Sequence, residues 1–570
     1  MTKGKDKMKT VKAGPILNAY PDSLGGTLSD IVRIMGSAEF SAAFDTAYIL
    51  PSIFNTDLDR GFSVIDYGLN RLFASREDLE HLASLGVGLK LDFILNHASV
   101  LSEEFQDVVK NGDASRYRDY FVDWNKFWEG HGTMTEAGFV QPDPDLVSGM
   151  FFRKPGLPIL FVRFPDGREV PYWNTFYQEV RYEIPGVREL MSALGLQYGE
   201  AEMLCAALRA GVEAGLRPSA IALGRFEFLR SRVVDLLESK RMYLGQMDLN
   251  IKSPLVWEHY ERTLETLAGY GAEIVRLDAF AYAPKEPGAK NFLNDPGTWD
   301  LLARVRSIAD RLGVTLLPEI HSRYEEKIHE RVSSEGYLTY DFFLPGLILD
   351  AYERGTAETL LRWIGELKAK RIRTVNMLGC HDGIPLLDLQ GLLTESQIQN
   401  LIKVVVDRGG YVKDLHGQKN VYYQVNATYF SALGESERRL LLARAIQIFM
   451  PGKPQVWYLD LFAGKNDMDA VRRAGPGGHK EINRTNLSAA DVSEALSKDV
   501  VRKQLELLRF RNTFGAFGFD AELEVLPAEP HLLKLRWTRD GNEATLEADL
   551  IAERWRIDAK TPTGSFSLLP

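Results

Sequence analysis

The stretch Glu273–Tyr282, EIVRLDAFAY, is a short apolar run that ends on a carboxylate, Asp278, with Arg276 two places before it. A run of this length and make-up reads as a buried strand. The acid at its end is either a loop cap or a reactive group aimed into a pocket. Recurrence of the pattern decides between the two. LKLDFILNH (89–97) ends on Asn96 and His97, VTLLPEIH (314–321) on Glu319 and His321, and RTVNMLGCHDG (373–383) on His381 and Asp382. TAYILP (46–51) is a further strand, bounded by Pro51.

Helical patterns separate these runs. EDLEHLASLG (77–86), PLVWEHYERTLETLAGYG (254–271), WDLLARVRSIADRLG (299–313) and ETLLRWIGELKAK (358–370) carry apolar residues at helical spacing. RLLLARAIQIFMPGKPQVWYLD (439–460) reads as helix, a turn at Pro451–Gly452, then strand. Repeated helix–strand alternation implies a parallel sheet covered by helices. So many repeats favour an α/β chain built as a (β/α)8 TIM barrel, with inserted wall domains. The last residues alternate and turn at Asp540–Gly541, which predicts a C-terminal antiparallel β domain.

The expected organisation is a lead-in at 1–13, barrel segments at 14–98, 246–383 and 426–514, and a β domain at 515–570. Residues 99–245 form an inserted domain with extra helical sequence near 180–245. A second insertion, 384–425, carries an acceptor loop. Long excursions after barrel strands are where such folds build their substrate walls.

Composition narrows the function. The 570 residues carry a net charge of −10 with no long basic face, which argues against a nucleic-acid partner. No run approaches the length of a membrane span, and the lysine-rich start lacks the apolar core of a signal peptide. Two cysteines suit a reducing compartment, so the expected location is cytoplasmic, with the chain a monomer or homodimer. Zinc spacings, a Walker loop and GxGxxG do not occur, and neither a cofactor nor a metal is expected.

In a barrel, all strand C-termini open on one face, so three carboxylates, several histidines and Arg276 would converge there. That set suits glycoside chemistry, which needs one protonated carboxyl and one ionised carboxylate. Arg276 beside Asp278 favours the ionised form, and burial near other acids is expected to keep Glu319 protonated.

The ordered motifs DFILNH, QMDLN (246–250), VRLDAFAY, LLPEIH and LGCHDG resemble those of the α-amylase superfamily of retaining glycosidases. YPDSLGG (20–26), DRGFSVIDY (59–67), FRKPGLP (152–158), YYQVNATYFSALG (422–434) and EINR (481–484) narrow the resemblance to the sucrose phosphorylase group. The resemblance implies Asp278 as nucleophile, Glu319 as acid/base and Asp382 as transition-state stabiliser. It implies that Asp59, His97, Arg276, His381 and Arg484 hold or orient the glucosyl site. Phe62 and Phe176 would supply its apolar walls, and Gln246 a polar one. Tyr423 and Gln424 match a mobile acceptor loop, and Arg153 or Lys154 a basic position for phosphate.

The implied reaction converts sucrose or a related α-glucoside plus inorganic phosphate into α-glucose 1-phosphate. Sucrose 6′-phosphate, glucosylglycerol and glucosylglycerate remain open as donors, as does a sucrose-type α-glucosidase or transglucosylase. Three departures bear on this choice. Residues 177–245 insert helical sequence between YWNTF and QMDLN. APKEPGAKNFLNDPGTW follows the Asp278 strand without the group's usual TSCFF-like stretch. CHDGIP (380–385) replaces THDGIG, as in relatives acting on sucrose 6′-phosphate or glucosylglycerol.

Overall fold

A computed structural model describes residues 11–414, 422–475 and 477–570. The chain divides into two compact units. The first contains residues 1–96, 254–286 and 290–570, and the second residues 97–253 and 287–289.

The first unit is built on an eight-stranded parallel sheet: β1 (Ile16–Ala19), β2 (Thr46–Ile49), β3 (Gly88–Ile94), β4 (Ala272–Asp278), β5 (Thr315–Pro318), β6 (Thr339–Asp341), β7 (Thr374–Met377) and β8 (Lys453–Trp457). Hydrogen bonding runs β5-β4-β3-β2-β1-β8-β7-β6, so each strand lies beside its neighbour in sequence and the sheet curls into a nearly closed barrel. Every residue of β1, β2 and β3 is buried, because helices cover the outside and side chains fill the inside. β2 shows as a short apolar run, while β3 alternates, its Lys90 buried where it bonds Tyr340 and Gln455.

The helices obey local rules. The helix Arg76–Ser84 starts in a capping box between Ser75 and Asp78. Gly297–Leu312 ends on Gly313 in the left-handed region. Glu437–Phe449 is buried all round from Leu440 onward. It packs against the C-terminal sheet, and Trp537 of that sheet donates its indole N–H to the Phe449 carbonyl at 2.9 Å.

That sheet has five antiparallel strands between Glu522 and Leu568, with a tight turn at Asp540–Gly541 where both residues take positive φ. Its order follows the chain, so each strand pairs with the one before it.

Strands predicted from the sequence are longer than those observed. β5 stops at Pro318 and β7 at Met377, where the runs extend to 321 and 383. The polar ends of those runs are loops, not ladder. Among the described residues no helix is long and apolar enough to cross a membrane.

The second unit holds an antiparallel sheet in which Arg241–Asp248 pairs with both Gln178–Tyr182 and His97–Ser99. A core of Trp124, Trp128 and Trp173 lies beside it. Helices Val187–Leu194, Tyr198–Glu213 and Arg230–Glu238 gather around Leu190, Leu204, Leu208 and Val233 as a separate small core. The Glu183 amide bonds the Lys240 carbonyl at 3.1 Å. The helical segment 184–239 therefore hangs from the open end of a β-hairpin.

Candidate active site

Arg276 organises the barrel mouth. It lies level with Asp92 on β3 and Leu317 on β5, and its side chain is almost wholly buried. A buried guanidinium needs its N–H groups paired. One terminal nitrogen bonds Asp92 and lies 3.0 Å from Asp278 Oδ1, while the other lies 2.5 Å from Glu319 Oε1. Tyr48 donates its hydroxyl to Asp92 at 3.0 Å and fixes that acid in turn. Asp278 is the last residue of β4 and Glu319 the first after β5. One fork thus holds both acids. Their side chains keep 14% and 15% exposure, enough to meet a ligand.

Burial pushes Asp278 well above the usual carboxylate range; Arg276 opposes this and the Glu319 charge adds to it. Burial also disfavours a charged Glu319, but Arg276 and His321 outweigh it and hold that carboxyl well below its usual range. His321 is itself a cation. Burial works against its charge, yet Asp388 at 3.2 Å from Nδ1 and Glu319 at 3.8 Å from Nε2 push the ring up to about 10.

In the ligand-free site these directions make Asp278 the harder of the two acids to ionise. The reason is geometric. One guanidinium touches both acids and cannot discriminate between them, while His321 adds its charge on the Glu319 side only. The protons of two acids this close to one cation belong to the pair rather than to either acid.

A second cluster surrounds Asp382, which stands five residues beyond β7. Gly383 turns the loop at φ +106°, where a Cβ would sit 2.5 Å from the Val425 carbonyl oxygen. Lys480 bonds Asp382 Oδ1, His381 Nε2 lies 3.2 Å from Oδ2, and Arg484 lies 3.7 Å away. Burial opposes the Asp382 charge, but His381, Lys480 and Arg484 hold the carboxyl well below its usual range. Burial keeps His381 below its own ordinary value, so its ring is a neutral N–H donor near pH 7.

Phe62 joins the clusters. It stacks on His381 at 5.0 Å between ring centroids, and the Arg276 guanidinium lies 5.4 Å from its face. Asp59 precedes it in a turn where Asp59 and Arg60 both take left-handed φ, a conformation that costs on the order of 1 kcal/mol or more per non-glycine residue. Arg60 secures the turn by donating to the Arg484 carbonyl at 2.7 Å and lying 3.5 Å from Asp22. Asp59, Phe62, Arg276, Asp278, Glu319, His381, Asp382 and Arg484 thus belong to one constellation. It combines two acids held by one guanidinium, a third carboxylate, fixed N–H donors and an aromatic face, which suits a polyhydroxylated ring.

No family model matches the chain. A sucrose 6(F)-phosphate phosphorylase of Ilumatobacter coccineus (strain NBRC 103263 / KCTC 29153 / YM16-304) is 51% identical over 551 residues, covering 95% of each chain. The chain belongs to the sucrose phosphorylase group. It is an enzyme of the glucoside phosphorylase type. A sucrose phosphorylase of Streptococcus mutans is 29% identical over 564 residues, 97% of this chain and 100% of the relative. The crystal structure of sucrose 6F-phosphate phosphorylase from Thermoanaerobacter thermosaccharolyticum superposes with a TM-score of 0.80 at 29% identity, covering 98% of both chains. An α-amylase from H. orenii matches with a TM-score of 0.59 at 14% identity over 96% and 92%, a likeness of fold.

As a group member, the chain shows how Cys380 stands in for the usual threonine of THDGIG. Its buried sulfur accepts the Asp382 amide at 3.4 Å, so the thiol serves as the loop acceptor. Lys285 donates to Asn96 Oδ1 at 3.0 Å, placing an ammonium beside that amide.

His97, Arg153, Lys154, Phe176 and Gln246 belong to the second unit. There His97 packs on Phe176 at 4.8 Å, and the Arg153 guanidinium lies 4.8 Å over the same ring. Lys154 sits 5.1 Å over Tyr177. Gln246 is buried with its amide nitrogen unpaired among the described residues. Gln424 is likewise buried and unpaired there, on the strand Tyr422–Asn426. The Tyr423 side chain and residues 415–421 lie outside the described residues, so the expected acceptor loop does too.

Sequence reasoning missed Lys480, Asp388 and Tyr20 as parts of the site. Lys480 adjoins EINR, and Tyr20 opens YPDSLGG, so both stood beside quoted motifs. Asp388 had no sequence signal, because only the fold brings it to His321.

Proposed function

We propose that the enzyme cleaves an α-glucoside by double displacement with net retention, and that sucrose 6F-phosphate is its preferred donor. An Asp278 oxygen attacks the anomeric carbon, the carbon–oxygen bond to the leaving group breaks, and Glu319 gives that oxygen its proton. A phosphate oxygen then attacks the same carbon, Asp278 departs as a carboxylate, and Glu319 takes a proton back. Asp382 would bear against the positive charge that develops on the ring, and His381 and Arg484 would hold its hydroxyls.

The observation that carries the reading is the Arg276 fork. It holds Asp278 at 3.0 Å and Glu319 at 2.5 Å on the two ends of one guanidinium, which suits the closely spaced carboxyl pair of a retaining mechanism. Donor binding would have to leave Asp278 ionised and Glu319 protonated. The phosphorylated donor is supported by the 51% identical relative and its printed activity.

The test is release of α-glucose 1-phosphate from sucrose 6F-phosphate, sucrose, glucosylglycerol and glucosylglycerate, each with and without phosphate. The expected result is a preference for sucrose 6F-phosphate over sucrose of roughly a hundredfold or more in kcat/KM, as desolvated charge recognition gives. Glucose formed equally fast without phosphate would sink the reading. Asp278→Asn should lower turnover by about 10⁴-fold or more.

A further inference from the structure

The barrel has a second concavity, at the end away from the carboxylates. A cavity of about 800 Å³ is lined by residues that precede strands: Gly14 before β1, Asp45 before β2, Val314 before β5, Tyr337 before β6 and Arg373 before β7. The candidate catalytic groups all follow strand ends. This cavity therefore lies on the N-terminal face, where the fold itself assigns no chemistry. Its volume falls in the range of small-molecule sites.

The lining carries five basic and three acidic residues. The acids are partly committed: Asp45 is bonded by Lys453, and Asp520 lies 3.1 Å from Arg539. The arginines are less so. Arg306 meets only Asp310, at 3.6 Å along one helix, while Arg373 has no carboxylate within ion-pair distance among the described residues. Both arginines converge on one turn: Arg373 donates to the Gly336 carbonyl at 3.4 Å, and Arg306 donates to the neighbouring Glu335 carbonyl.

Arg511 is the decisive residue. It lines the cavity yet is only 2% exposed, and among the described residues it too faces no carboxylate at ion-pair distance. Its terminal nitrogens donate to the carbonyls of Ile448 and Gly452 at 2.8 and 2.6 Å, and its Nε has no partner. Burial, with Arg539 adding to it against the pull of Asp45, lowers it to about 9. A buried cation without a carboxylate partner is costly unless an anion joins it. Aromatic rings add apolar wall, with Phe517 beneath Arg511 at 4.5 Å and Tyr337 beneath Arg306 at 5.1 Å.

We propose that this cavity is a binding site for a small organic phosphate, separate from the catalytic centre. Arg306, Arg373 and Arg511 would meet the phosphate, and Tyr337 and Phe517 the organic body.

The experiment is titration calorimetry on the full-length enzyme with two probes, AMP and fructose 6-phosphate, against adenosine and fructose. The variants are Arg306→Ala/Arg373→Ala at the rim and, separately, Arg511→Met. At least one phosphorylated probe should bind saturably where its phosphate-free counterpart does not. The rim variant should weaken that binding about tenfold or more, as loss of charge-assisted hydrogen bonds does, with kcat unchanged.

Fructose 6-phosphate could also bind at the catalytic centre, and the rim variant separates the two cases. Binding that the rim variant leaves intact overturns the proposal, as does no saturable binding of either probe up to about 10 mM, the weak end of specific affinity. Arg511→Met need not fold for this test, because the rim residues alone decide it. Failure here leaves glucosyl transfer untouched, and failure of glucosyl transfer leaves this site untouched.

Discussion

His321 shows how one side chain can set the proton inventory of a site without touching the reacting carbon. Its ring is held charged by Asp388 and Glu319, up to about 10, so it is a cation across the working pH range. A nearby cation favours loss of the proton that Glu319 must donate. Replacing it with a neutral ring, His321→Phe, therefore raises the pH at which the acid pair loses its last proton. The alkaline limb of kcat/KM for a neutral donor should move upward by about one pH unit. An unmoved limb would show that the imidazolium does not act on Glu319. The acids themselves were legible at this scale, because each ends an apolar run. Their protonation was not. Arg276 sits two residues from Asp278 in sequence, and nothing there shows that its other nitrogen reaches Glu319 or that a histidine charge falls on one acid alone.

At the scale of elements, the loops after the strands govern where the acids point. Asp382 is presented by a loop that only Gly383 can turn, since a side chain there would meet the Val425 carbonyl. Gly383→Ala should cost about 1–3 kcal/mol of stability through backbone strain. It should also raise KM for the donor, measured by thermal unfolding and steady-state kinetics together. A variant with unchanged Tm and KM would mean the loop adapts freely. Strands β3 and β4 were readable because apolar residues recur along them and turn signals bound them. β1 and β6 were not singled out: β1 is four residues interrupted by the buried Asn18, and β6 is three residues ending on Asp341. The overlong readings of β5 and β7 share one cause, since each run continues past its last ladder residue into the loop that carries the site's polar residues.

At the scale of the whole molecule, the segment 184–239 has a core of its own and leaves its sheet through the adjacent pair Glu183 and Lys240. Replacing 184–239 with a two-residue Asn-Gly turn should close the hairpin without disturbing its register. The shortened protein is expected to unfold cooperatively and to keep phosphorolysis within about tenfold of the parent. Circular dichroism should report the lost helix. Insoluble product or abolished turnover would show that the helices support more than themselves. The helical character of this insertion was plain from its sequence. Its attachment was not, because the pairing of Tyr182 with Arg241 spans the whole insertion.

The route of the chain also sets a schedule for synthesis. β3 leaves the ribosome with its β4 edge unfilled, and roughly 180 residues must follow before β4 appears. At ~5–20 residues per second that is a wait of roughly 10–35 s. β1 waits longer still, for β8. During these intervals strands that the finished barrel buries present open edges to other nascent chains. Recombinant yield should therefore depend on how well those edges are shielded while the second unit is being made, and on translation speed through residues 97–253.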